Sequence, residues 1–206
     1  MKIVIINCGV GNVGSVKNML RKIGVEATVS SEVSDIEKAD KLIFPGIGAF
    51  DSGMERIEQL GIMPVLEEKV IENKTPILGI CLGMQLFSKS SEEGKRSGLG
   101  WVDAKTIRFR FDDTQPKLKI PHMGWNTTRV VKKNPLFIDL DDDARFYFVH
   151  SYHVVCNKKE DIITTTNYGF DFVSSLGKEN IFGVQFHPEK SHKYGMRLLK
   201  NFVETV

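Results

Sequence analysis

The chain has 206 residues, 41% of them hydrophobic and 26% charged, the composition of a soluble globular protein with room for one sizeable core. A formal net charge of +2 with dispersed Lys and Arg leaves no electrostatic footprint for nucleic acid. Three cysteines, Cys8, Cys81 and Cys156, cannot pair completely, which excludes a disulfide framework and fits a reducing cytoplasm.

The opening apolar run Ile3-Val4-Ile5-Ile6 is too short for a signal peptide or a membrane span and reads as a buried first strand. Val13, Val16, Met19, Leu20 and Ile23 have helical spacing, and Gly24 ends that helix. A second strand is expected over Glu26–Val29 and a third over Lys41–Phe44, stopped by Pro45-Gly46. Helices follow around Asp51–Gln59 and from Pro64 to about Asn73, since proline suits the first turn. Pro76 opens the apolar strand Ile77–Ile80, which runs into a helix over Leu82–Ser88. This alternation predicts an α/β fold: an open, mostly parallel sheet with helices on both faces.

The second half changes character. Strand-like runs at Ala104–Phe109, Thr127–Val131, Arg145–Val149, Ile162–Thr166 and Ile181–Phe186 are separated by turns, so this half is expected to be mixed or antiparallel. A final helix over Tyr194–Val203 closes the chain. No repeat or linker divides it, so residues 1–206 are read as one domain.

Three segments carry chemistry. In Gly79-Ile80-Cys81-Leu82-Gly83 a strand turns straight into a helix through G-x-C-x-G, a nucleophile elbow with cysteine as nucleophile. The turn leaves no room for side chains at Gly79 and Gly83, exposes Cys81 in a strained backbone, and frees the Leu82 N–H for an oxyanion. In Gly183-Val184-Gln185-Phe186-His187-Pro188-Glu189 a strand ends at His187. Pro188 is expected to keep the path extended, so that Glu189 falls on the same side and orients the imidazole toward a thiolate. In Pro45-Gly46-Ile47-Gly48 the closely spaced glycines let a backbone N–H approach a substrate, and Ile47 or Gly48 could supply a second oxyanion donor.

Other features are weaker. Gly9-Val10-Gly11-Asn12-Val13-Gly14 has the form G-x-G-x-x-G but lacks a convincing acidic residue closing the second strand, so it reads as a tight turn. His122, His150, His187 and His192 lack metal spacing, and the acidic cluster Asp139, Asp141, Asp142 and Asp143 reads as a solvated turn; no metal and no cofactor are expected.

Together these segments resemble the class I glutamine amidotransferases, whose Cys-His-Glu triad falls on Cys81, His187 and Glu189. With Pro121-His122-Met123-Gly124-Trp125-Asn126, the resemblance narrows to the glutaminase subunits of imidazole glycerol phosphate synthase. It implies glutamine as substrate, positioned by Gly46, Gln85, Ser151 and Tyr152. It also implies a heterodimer with a (β/α)₈-barrel cyclase that receives ammonia and serves histidine synthesis, with no membrane or nucleic-acid partner. Met123, Trp125, Asn126 and Tyr147 are the implied docking residues. Asn7-Cys8 stands where that family commonly has Asp-Tyr, which keeps open a paralogous role in surface-sugar amidation. A stand-alone cysteine hydrolase and a dinucleotide-binding module are the remaining alternatives.

Overall fold

A computed structural model describes residues 1–9, 11–111, 118–141 and 143–206. Five parallel strands form the left half of its main sheet: β1 (Ile3–Ile6), β2 (Ala27–Ser30), β3 (Lys41–Gly46), β4 (Ile77–Cys81) and, near the end of the chain, β12 (Ile181–Val184). Their spatial order is β2-β1-β3-β4-β12. The right half is antiparallel. β11 (Phe170–Lys178) pairs with β12, β10 (Ile162–Tyr168) with β11, and the short β7 (Arg129–Val130) with β10. β9 (Tyr152–Cys156) leans on β11 and carries β5 (Ala104–Arg108). A separate ribbon joins β6 (His122–Thr127) to β8 (Arg145–His150).

Side-chain alternation along β1 explains why the sheet needs helices on both faces. Val4 and Ile6 join one apolar cluster, Ile3 and Ile5 the other. The first cluster is roofed by Ile36 of α2 (Val33–Glu37), Phe50, Met54 and Ile57 of α3 (Phe50–Gln59), and Val65 and Leu66 of α4 (Met63–Glu67). The second lies under Val16, Met19 and Leu20 of α1 (Val13–Lys22) and under Leu198, Leu199 and Phe202 of α6 (His192–Thr205). Gly24 sits at φ +80° just beyond α1, the left-handed position that ends a helix at low steric cost.

The expected architecture is present, but the sequence patterns missed α2, β6, β9 and β11, and the helix from Pro64 changes to a π turn over Glu68–Glu72. β11 escapes because its buried centre contains Ser174 and Ser175. Both hydroxyls hydrogen-bond the Thr164 hydroxyl, at 2.8 and 2.7 Å, which offsets the cost of burying them. The G-x-G-x-x-G turn is pressed against β3: a Cβ on Gly11 would meet the Pro45 carbonyl oxygen at 2.9 Å. Val10 of that turn and Asp142 of the acidic cluster lie outside the described residues.

Candidate active site

β4 and β12 are parallel neighbours, in register Ile80 to Val184, so the residues just past both strands emerge side by side. Past β4 the chain reverses into α5 (Leu82–Leu86), with Cys81 at φ 54°, ψ −108°. For a non-glycine residue this is strained backbone, held only because the surroundings over-determine it. The flanking glycines are required. A Cβ on Gly83 would stand 1.9 Å from the Phe44 carbonyl oxygen, and one on Gly79 2.7 Å from the Met84 nitrogen.

Past β12, His187 donates its backbone N–H to the Tyr147 carbonyl at 2.9 Å. Its Nδ1 lies 2.8 Å from Glu189 Oε1, both side chains being 2% exposed. The extended path expected through Pro188 is not what brings them together. Pro188–Lys190 form a single 3₁₀ turn, which folds the carboxylate back under the ring, and the Ser191 hydroxyl donates to the His187 carbonyl at 2.6 Å to close that turn. Proline's fixed φ is as compatible with the first turn of a helix as with extended chain.

Charge in this site is ordered. Burial disfavours imidazolium at His187, but the Cys81 sulfur and the Glu189 carboxylate outweigh it and raise its pKa from 6.5 to about 10. His187 Nε2 has no hydrogen-bond partner of full geometry among the described residues and is available to a proton in transit. The other cysteines are held as thiols: burial pushes Cys8 up to about 11 and Cys156 to about 12. Three buried imidazoles beyond the triad are held neutral, burial lowering His150 to about 3 and His122 and His153 to about 4.

A cavity of about 480 Å³ opens over Cys81 and His187. The family profile for class-I glutamine amidotransferases matches residues 4–206 of this chain. The chain belongs to that family. Curated relatives refine the placement. A HisH 2 subunit of imidazole glycerol phosphate synthase from Methanococcus maripaludis is 53% identical over 98% of each chain. One from Pseudomonas aeruginosa is 48% identical over 99% of this chain and 100% of its own. The HisH subunit of Leptospira borgpetersenii is 43% identical over 96% and 97%. Among solved structures, a glutamine amidotransferase superposes with TM-score 0.75 at 17% identity, covering 99% of this chain and 98% of its own. A glutamine amidotransferase from Thermotoga maritima superposes with TM-score 0.62 at 16% identity, covering 99% and 83%. These two share the fold. The surface-sugar alternative is not favoured, since the relatives carry the imidazole glycerol phosphate synthase name.

Most of the residues singled out in this amidotransferase's sequence come together. Ile47, Gly48, Leu82, Gln85, Ser151 and Tyr152 line the cavity with Cys81 and His187. Gly46 does not. It is buried below, paired with Cys81 in the β3–β4 register, where a Cβ would press on Leu82 at 3.0 Å. Glu189 is likewise behind the cavity, reaching it only through His187. The ribbon explains the remaining residues. Met123 and Trp125 are 61% and 46% exposed, and Trp125 pairs across the ribbon with Tyr147. Asn126 alternates to the inner face, where its amide bonds His122 and the Asn167 carbonyl. Glu93, His150 and Lys190 also line the cavity and were missed as site residues, as was the fully buried Gln185. Gln185 lay within a motif already singled out, and Lys190 directly follows it. No group of three or more His, Cys, Asp or Glu among the described residues is arranged to hold a metal. No helix among them is long and apolar enough to cross a membrane.

Proposed function

We propose that this amidotransferase hydrolyses glutamine through a Cys81 thioester and delivers the ammonia to a (β/α)₈-barrel cyclase of imidazole glycerol phosphate synthesis, as one domain acting in the cytoplasm. The observation that carries the reading is the meeting of Cys81, on its strained elbow, with His187 in one cavity, the imidazole being backed by buried Glu189.

In this mechanism the Cys81 thiolate adds to the carboxamide carbon, and the carbonyl π electrons move onto oxygen. The resulting oxyanion is met by the Leu82 N–H and by one from Ile47 or Gly48; losing one such donor typically raises a barrier by about 3 kcal/mol. Gly48, at φ +102° with open space around its Cβ position, lets that loop reorient at low steric cost. The tetrahedral intermediate collapses, the C–N bond breaks, and imidazolium His187 gives its proton to departing ammonia. The neutral ring then takes a proton from water, whose oxygen attacks the thioester, releasing glutamate and the thiolate. Glu189 holds the Nδ1 proton in place throughout. Gln85, Ser151 and Tyr152 position the glutamine.

Ammonia released to bulk water is largely protonated to ammonium, which lacks a nucleophilic lone pair, so a closed route to the partner keeps it reactive at low concentration. The outward-facing Met123, Trp125 and Tyr147, the last bridged to the His187 backbone, suit the docking of that partner, aromatic side chains and methionine being favoured at interface cores. The test is reconstitution with a barrel cyclase and its ribonucleotide acceptor. Cys81→Ala is expected to lower glutamine-dependent synthesis by roughly 10⁶-fold, the scale seen for loss of a nucleophile, and to spare synthesis from added ammonium salt. Glutamine-dependent turnover by the variant would overturn the reading.

A further inference from the structure

Gln185 is fully buried, yet the mechanism above gives its side chain no work. Its Nε2 lies 3.7 Å from the Cys81 sulfur. Whether an amide N–H or a carbonyl oxygen faces the sulfur depends on how the amide is turned, and its neighbours settle that. The Tyr152 backbone carbonyl can only accept, so Gln85 Nε2, 3.1 Å away, is the donating end of Gln85. The same nitrogen lies 3.1 Å from Gln185 Oε1. That oxygen accepts, and Gln185 is left to present N–H to Cys81.

The Tyr152 carbonyl is itself held by a second arm. His150 Nδ1 donates to it at 2.7 Å, which leaves His150 Nε2 to accept from His122 Nδ1 at 3.0 Å. His122 Nε2 in turn accepts from Asn126 Nδ2 at 3.2 Å. Asn126 is fixed as donor because that nitrogen also bonds the Asn167 carbonyl at 2.9 Å. Every bond in this run has one permitted direction, both ends rest on backbone carbonyls, and no member carries charge.

We propose that Gln185 is a further residue of the catalytic site, its amide N–H supporting the Cys81 thiolate in an orientation enforced by Gln85, which the Tyr152 carbonyl fixes, while the His122–His150 run holds that carbonyl in place. This rests on Cys81 being the nucleophile. A neutral donor fits the need: it stabilises the thiolate before attack and, unlike a second cation, does not compete with His187 for the proton. The bond to sulfur weakens once the thioester forms and returns when thiolate leaves.

The test uses the full chain and iodoacetamide, with Cys81 alkylation followed by peptide mass from about pH 6 to pH 10. The titratable groups facing the sulfur are unchanged in every variant: His187 with Glu189 behind it, and Glu93, Tyr152, His150 and Lys190 along the cavity. Gln185→Met, close in shape and unable to donate, is expected to slow alkylation at pH 7 about tenfold. Its rate should converge on wild type at the alkaline end. Its kcat for glutamine should fall by a similar factor, with KM within about twofold. Gln85→Met, which leaves Gln185 present but unoriented, is expected to slow alkylation by about threefold. Alkylation profiles that match wild type, or a deficit that persists unchanged to pH 10, would overturn the proposal. A wild-type chain that is alkylated at Cys81 but turns over no glutamine counts against the glutaminase reading alone, and the alkylation comparison still decides Gln185.

Discussion

The elbow at Cys81 and the ribbon β6–β8 both serve the same histidine, but they are built on opposite terms. The elbow is walled in beneath and behind, by the backbone of β3 and by Phe87 and Met84, with positive φ at its apex. The ribbon is two strands with one face on the core and the other largely in solvent. Its inner residues, His122, Phe146, Phe148 and His150, are buried, while Met123 and Trp125 stand out. Yet the ribbon reaches the chemistry as directly as the elbow does, because the Tyr147 carbonyl accepts the His187 backbone N–H and the Ser191 hydroxyl accepts the Tyr147 N–H at 3.0 Å. The contrast teaches that the nucleophile is placed by steric exclusion and the base by hydrogen bonds to a segment with an open outer face. Only the second arrangement leaves a handle for a partner.

The largest expected effect is at the elbow. Gly83→Ala places a methyl group against the Phe44 carbonyl oxygen, a backbone atom and not the flexible end of a side chain that could yield. Overpacking of this kind is expected to cost about 3 kcal/mol, read as a lower denaturant midpoint. A variant as stable as wild type would show that the elbow can relax. At the ribbon the order of effects reverses. Trp125 stacks on His192 at 5.4 Å and meets Tyr147 edge-on at 6.2 Å, contacts that lie outside the core. Trp125→Ala should lower the melting temperature by no more than about 4 °C while weakening association with the barrel cyclase by about 2 kcal/mol, roughly 30-fold. Calorimetry beside a thermal melt separates the two. A collapsed melt with unchanged affinity would make Trp125 a packing residue.

The smallest effect, taken per group and per pH unit, is in pH. His122, His150 and His153 have pKa values depressed well below 6.5 in the folded chain by burial. The unfolded chain therefore takes up more protons between 6.5 and about 4, or about 3 for His150, and stability present above 6.5 is lost as pH falls through that window. His187 has the opposite sign. Raised to about 10, it contributes fully below 6.5 and its contribution fades as pH climbs toward 10. Each group changes stability by about 1.4 kcal/mol per pH unit within its window. Three imidazoles against one predict a steeper acid limb, and His122→Phe should make that limb shallower. Denaturant melts at stepped pH provide the check, and equal slopes for wild type and variant would contradict the assignment.

These differences also account for what the sequence could reveal. The elbow was legible because steric exclusion writes itself locally, as Gly79 and Gly83 two residues either side of Cys81. His187 and Glu189 were legible as a pair, although the 3₁₀ turn that joins them was not, since Pro188 permits both paths. The parallel half followed from its apolar runs. In the antiparallel half, β11 hid behind buried serines whose partners lie on β10, ten and eleven residues away. The support around Cys81 was the least legible: Gln85 and Gln185 are 100 residues apart, and His122 and His150 are 28 apart. Amide orientation and histidine tautomer depend on partners that only the fold brings together, so a glutamine in an apolar strand motif gave no sign of its role.

The claim at the centre of this account is that glutamine forms a thioester on Cys81. Acid-quenching the chain during turnover with its partner, then mapping the peptides by mass, tests it most directly. The account predicts a glutamyl adduct on the peptide carrying Cys81, labile to hydroxylamine, with Cys8 and Cys156 unmodified as expected for thiols whose pKa values burial has raised to about 11 and about 12. An adduct on either of those cysteines while Cys81 stays unmodified would contradict the account.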